Sequence, residues 1–100
     1  MDLQLQEQAA LVMASSRGLG RAVATQLALE GCNVMITGRD ATVLEQTRSE
    51  IAAQTSSKIV ACVADMSKAE DLDNLVAETL EQLGGINILI NNSGGPPGGD

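Results

Sequence analysis

The chain has 100 residues, contains no Phe, Trp, Tyr or His, and carries a net charge of −7 from 6 basic and 13 acidic side chains. A hydrophobic share of 44% against 19% charged residues is that of a globular chain, with a core that must come from Leu, Ile, Val, Ala and Met. Without His or Tyr there is no imidazole relay or ligand, no phenolic acid and no ring to stack on a nucleobase; the acidic balance argues against nucleic-acid and anionic-membrane partners.

No apolar run approaches the roughly 20 residues of a membrane-spanning helix. The segment from Met1 to Glu7 is neither basic nor followed by a signal-type core. Cys32 and Cys62 fall in separate apolar segments, as expected of two buried thiols in a reducing cytoplasm.

Short apolar runs alternate with longer amphipathic ones. Ala9 to Ala14 is a continuous apolar run, the pattern of a strand covered on both faces. Gly18 to Leu29 reads as a helix with Leu19, Val23, Leu27 and the alanines inward, stopped by Gly31. Asn33 to Thr37 is a second strand. Asp40 is the expected N-cap of a helix running to about Gln54, with Val43, Leu44, Thr47 and Ile51 at helical spacing. Lys58 to Ala64 is a third strand. Ser67 and Glu70 form a capping-box pattern before a helix lined by Leu72, Leu75, Val76, Thr79, Leu80 and Leu83, and Gly84-Gly85 ends it. Ile86 to Ile90 is a fourth strand, followed by a Gly/Pro-rich stretch.

Strands alternating with helices predict an α/β fold: a Rossmann-type parallel sheet with helices on both faces, of about four strands and three helices. The turn from Ala14 to Gly20 joins the first strand directly to a helix. Gly18 and Gly20 lack a Cβ that would keep a pyrophosphate away, Ser15 and Ser16 add hydroxyls, and the helix start offers free N–H groups. Val23 occupies the last glycine position of the general G-x-G-x-x-G fingerprint, so the turn alone is also compatible with simple strand–helix packing.

The end of the second strand is where such folds read the adenosine ribose, and a carboxylate there favours NAD. This chain has Thr37-Gly38-Arg39 instead. Arg39 suits a 2′-phosphate, Arg17 can approach it from the glycine turn, and Arg17, Arg21 and Arg39 gather three of the six basic residues near that edge. NADP is therefore expected, with NAD the lesser alternative.

These residues resemble the short-chain dehydrogenase/reductase family, in its 3-oxoacyl-ACP-reductase-like branch. Met13 to Gly20 is similar to the family's T-G-x-x-x-G-[IL]-G turn, Asp65 stands where the family has an acidic residue beside adenine, and Asn91-Asn92-Ser93-Gly94 resembles its N-N-A-G motif. The resemblance covers residues 9 to 94. It implies that Ala14, Ser15, Ser16, Arg17, Gly18, Leu19 and Gly20 hold pyrophosphate and ribose, that Arg39 selects NADP, that Asp65 and Met66 contact adenine, and that Asn92, Ser93 and Gly94 lie against the nicotinamide ribose. It also implies a small-molecule carbonyl or alcohol substrate and a homo-oligomer at full length, with no role for metal.

Two positions depart from the pattern: Met13 replaces the threonine, removing a hydroxyl, and Ala14 replaces the first glycine, adding a methyl group. The family's catalytic Asn, Ser and Tyr-x-x-x-Lys lie beyond the N-N-A-G motif. Residues 1–100 are accordingly expected to be the N-terminal part of a single NAD(P)-binding domain, holding no catalytic residue and inactive alone. A nucleotide sensor that kept the fold without turnover is the alternative. A methyltransferase-like domain would want an acidic ribose ligand where Gly38-Arg39 stands.

Overall fold

The computed structural model describes residues 7–13, 18–65 and 67–91. In chain order the elements are β1 (Ala9–Met13), α1 (Gly18–Leu29), β2 (Asn33–Gly38), α2 (Ala41–Ala52), β3 (Ile59–Val63), α3 (Ala69–Leu83) and β4 (Ile88–Asn91). The strands form one parallel sheet in the order β3-β2-β1-β4, with Val12 opposite both Ile36 and Ile90 and Gly38 opposite Val63. The expected α/β architecture is present, including helices on both faces.

Strand periodicity divides the core. Ala10, Val12, Val34 and Ile36 point to one face, where they meet Ala24 and Ala28 of α1 and Leu44 and Ile51 of α2. Leu11, Met13 and Met35 point to the other, where they cluster with Ala64 and with Leu75 of α3. Every residue of β1 is buried, so its unbroken apolar run reflects cover on both sides.

The helices meet the sheet differently from the sequence expectation. Helix α1 buries Gly20, Ala24 and Ala28, a stripe of small side chains, whereas Leu19 is exposed and Val23 and Leu27 are half-buried. The alanines expected inward are so at Ala24 and Ala28, but the larger residues expected with them are not fully buried, and the contact is made by residues without bulk. On α2, Leu44, Thr47 and Ile51 are buried as expected, but Val43 is exposed. On α3, Leu75 and Thr79 are fully buried while Leu72 and Leu80 lie toward solvent.

Local signals set the helix ends. Asp40 caps α2, its carboxylate accepting from the N–H groups of Thr42 and Val43 at 2.9 and 3.1 Å. The expected Ser67/Glu70 capping box does not form: α3 begins after Lys68, which makes no side-chain cap bond. Ser67 turns back toward Asp65 instead. Gly84 ends α3 in the left-handed conformation, φ 82°, with its N–H on the Leu80 carbonyl.

The amino-end edge of the sheet is bound by side chains. Thr55 and Ser57 donate their hydroxyls to the Ala28 carbonyl at the end of α1, and the Lys58 ammonium donates to the Gln82 carbonyl near the end of α3. Asn33 accepts from the Lys58 N–H, and Asn87 accepts from the Ala9 N–H.

Leu75→Ala is expected to cost about 2–5 kcal/mol by opening a cavity beneath α3. Leu80→Ala, at a side chain 49% exposed, should stay within about 0.5 kcal/mol of unchanged. Urea unfolding of the two variants measures the difference.

Candidate functional site

Because the strands are parallel, Met13, Gly38, Val63 and Asn91 end at one edge of the sheet. The chain proceeds outward from β1 to β2 and β3, then returns through α3 to place β4 on the other side of β1. The direction of winding thus reverses between β1 and β4, the place where doubly wound sheets form a ligand crevice at their carboxyl ends.

Of the residues read from the sequence, Gly18, Leu19, Gly20, Arg39 and Asp65 lie within the described structure; Ala14, Ser15, Ser16, Arg17, Met66, Asn92, Ser93 and Gly94 lie outside the described residues. Gly18 opens α1 with φ 64°, a left-handed conformation that side chains rarely adopt. Among the described residues, apart from its chain neighbours and its own helix backbone, none comes within 4 Å of a Cβ placed there. Backbone conformation, rather than crowding by the protein, is what calls for glycine, and the open space is suited to close approach by a ligand. Helix α1 has no acidic residue in its first turn to offset the positive end of its dipole. Gly20 is buried, and Leu19 faces outward.

Arg39 follows β2 directly and is exposed. Its neighbour Asp40 directs its carboxylate onto the α2 amides, as the capping expectation required. Arg21, in the first turn of α1, forms an ion pair with Glu50 of α2. Of the three arginines expected near the cofactor edge, Arg21 is thus matched by a carboxylate and Arg39 is exposed, while Arg17 lies outside the described residues.

Asp65 sits two residues past the end of β3, in a turn bound on several sides. The Ala64 N–H reaches the Gly38 carbonyl at 2.9 Å, tying the turn to the end of β2. Asp65 Oδ1 accepts from the Ser67 N–H at 2.9 Å and the Ser67 hydroxyl at 2.7 Å. The Asp65 carbonyl accepts from the Lys68 N–H at 3.0 Å. The Asp65 N–H itself donates to Asp71 Oδ2, at 2.8 Å. The two Ser67 bonds hold the Asp65 carboxyl below the usual carboxylate range, with the positive charges of Arg39 and Lys68 adding to the effect. Sequence reasoning missed Ser67 and Asp71 in these roles. An Asp followed two positions later by Ser is the pattern of an Asx-type turn and could have signalled the first; the reach from Asp71 back to Asp65 carries no short-range signature.

Neither thiol is an activated nucleophile. Cys32 is fully buried, whereas Cys62 is half-buried rather than buried as expected, with Asn74 Nδ2 4.0 Å from its sulfur. Burial raises both pKa values, assisted by Glu30 at Cys32 and by Glu78 and Asp71 at Cys62. Among the described residues no cluster of three or more Cys, Asp or Glu side chains could hold a metal ion, and no helix is long and apolar enough to cross a membrane.

A glycine-opened helix, an exposed arginine and an acidic turn thus meet at one carboxyl edge of the sheet. The family described as short chain dehydrogenase matches residues 8–100, and the chain belongs to it. It is 34% identical over 94 residues to the 3-oxoacyl-acyl-carrier-protein reductase of Aquifex aeolicus, covering 94% of this chain and 38% of that one. It superimposes on the L-sorbose reductase of Gluconobacter frateurii, solved with NADPH and L-sorbose, with a TM-score of 0.91 at 26% identity over 95% of this chain and 36% of that one. A metagenomic short-chain oxidoreductase solved with NADP gives a TM-score of 0.82 at 30% identity, over 90% of this chain and 40% of that one. The chain thus spans about two fifths or less of the length of these relatives.

The Ser67 bonds favour ionised Asp65, so their contribution to stability is fully present above about pH 4, the unfolded value, and is lost as pH falls through the lower folded value. Ser67→Ala should raise the Asp65 carboxyl toward the ordinary range, read by NMR titration of its side-chain carbon. An unchanged titration would mean that Ser67 is not what holds it ionised.

Proposed function

We propose that the protein is an NADP-dependent short-chain oxidoreductase that transfers hydride between NADP(H) and a small carbonyl or alcohol substrate, with residues 1–100 forming the N-terminal, cofactor-binding part of a single NAD(P)-binding domain. The carrying observation is the joint presence, at the carboxyl edge of one parallel sheet, of Gly18 opening α1, Arg39 after β2 and Asp65 after β3. The donor set fits a dinucleotide: N–H groups at the start of α1 for pyrophosphate, a guanidinium for a ribose phosphate, and a carboxylate-bearing turn for adenine.

In this reading Ala14, Ser15, Ser16, Arg17, Gly18, Leu19 and Gly20 line the pyrophosphate and ribose. Arg39 meets the 2′-phosphate, Asp65 and Met66 meet adenine, and Asn92, Ser93 and Gly94 approach the nicotinamide ribose. Gly38 leaves no carboxylate to repel a 2′-phosphate, and the NADPH and NADP complexes of the two structural relatives support the same choice. The cofactor, when bound, supplies or accepts the hydride; these residues bind and orient it, and the groups that exchange the proton with substrate oxygen belong to the part of the protein outside them. A cytoplasmic, homo-oligomeric enzyme acting on a small molecule completes the proposal. The Met13 and Ala14 departures favour one second reading, an NADP-binding sensor without turnover, separated from the first by assaying carbonyl reduction in the intact protein.

Calorimetric titration of the intact protein should detect NADPH binding; none would overturn the proposal. Arg39→Ala should weaken NADPH by about 10- to 100-fold, the loss of one charge-assisted phosphate contact, with little change for NADH. Adding Gly38→Asp should move preference toward NADH. Unchanged preference would place the 2′-phosphate away from Arg39.

A further inference from the structure

We propose that Asp71 is a positioning residue for adenine recognition, its carboxylate holding the Asp65 turn at the cofactor edge. The inference rests on the reading of Asp65 as an adenine contact and adds a group, on a different element, on which that contact depends.

The turn leaving β3 must present Asp65 at the sheet edge without a regular ladder to hold it. Its bonds to Ser67 and Lys68 are local: they shape the turn but do not attach it to the rest of the fold. Among the described residues, two bonds do attach it. One is from the Ala64 N–H to Gly38, on the β2 side. The other runs from the Asp65 N–H to Asp71 Oδ2, six residues on and within the first turn of α3.

Asp71 is itself well anchored. Its N–H donates to the Lys68 carbonyl at 3.1 Å, and a carboxylate in the first helical turn is favoured by the helix dipole. Four residues later on the same helix, Leu75 is fully buried against the sheet. The position of α3 on the sheet is thereby transmitted through Asp71 to the backbone of Asp65. Glu70, the other acidic residue of that turn, is exposed and supplies a charge-matched control.

The test uses the intact protein, with NADPH as cofactor and 5′-AMP as a competitive probe that carries adenine but no nicotinamide. Asp71→Ala should raise KM for NADPH and Ki for 5′-AMP by about tenfold, the effect of leaving a backbone donor unpaired, with kcat nearly unchanged. Asp71→Asn, which keeps an acceptor oxygen, should restore both to within about twofold, and Glu70→Ala should leave both unchanged. Asp65→Ala should weaken 5′-AMP by itself, and adding Asp71→Ala to it should cause little further loss, because the two act through one contact.

Normal 5′-AMP binding by Asp71→Ala, or equal losses for the Ala and Asn variants, would overturn the positioning role while leaving Asp65 as an adenine contact. If Asp71→Ala does not fold, failure of Asp71→Asn to keep 5′-AMP affinity overturns the role equally. Unchanged 5′-AMP affinity in Asp65→Ala would overturn the adenine reading and this inference with it.

Discussion

Strand β1 is paired on both edges and packed on both faces, and Ala10, Leu11 and Val12 expose no surface. Each of those residues is committed twice, through its backbone to neighbouring strands and through its side chain to one of two hydrophobic clusters. A shift of one residue along this strand would exchange the two faces and place every side chain against the wrong helix layer. The winding reversal beside β1, and the delivery of the chain into α1 at Gly18, both follow from this one register.

The two edges of the sheet are built from different materials. At the amino-end edge, hydroxyl, amide and ammonium groups are spent on helix carbonyls and strand backbone. At the carboxyl edge, polar groups fix turns: Asp40 on the start of α2, and Ser67 and Asp71 on the turn that carries Asp65. Arg21 and Arg48 are matched by Glu50 and Glu45, while Arg39 stands exposed at the end of β2.

The sequence made the elements legible because their signals are short-range. Glycine at positions 31 and 84, the Asp40 cap and the unbroken apolar run of β1 each mark an element directly, and α1 falls on its expected bounds. Less legible was which side of a helix meets the sheet. The alanines of α1 were read as inward and Ala24 and Ala28 are buried, but Leu19 and Val43, which look like core by hydrophobicity, are exposed, because the sequence carries no measure of how closely a helix approaches the sheet. At the candidate site, Gly18, Arg39 and Asp65 were readable because their backbone or charge requirements are local. The ion pair that draws Arg21 to Glu50, 29 positions away, and the bond from Asp65 to Asp71 depend on how helices lie on the finished sheet.

The small-residue contact of α1 has a further consequence. Gly20, Ala24 and Ala28 have no side-chain rotamers to select, so burying them freezes almost no side-chain entropy, and α1 docks on the sheet at little cost of that kind. The first amides of α1 belong to a helix held by that contact. To the extent that docking of the helix fixes their direction, an anion binding at that end would lose less of its interaction free energy in immobilising its donors.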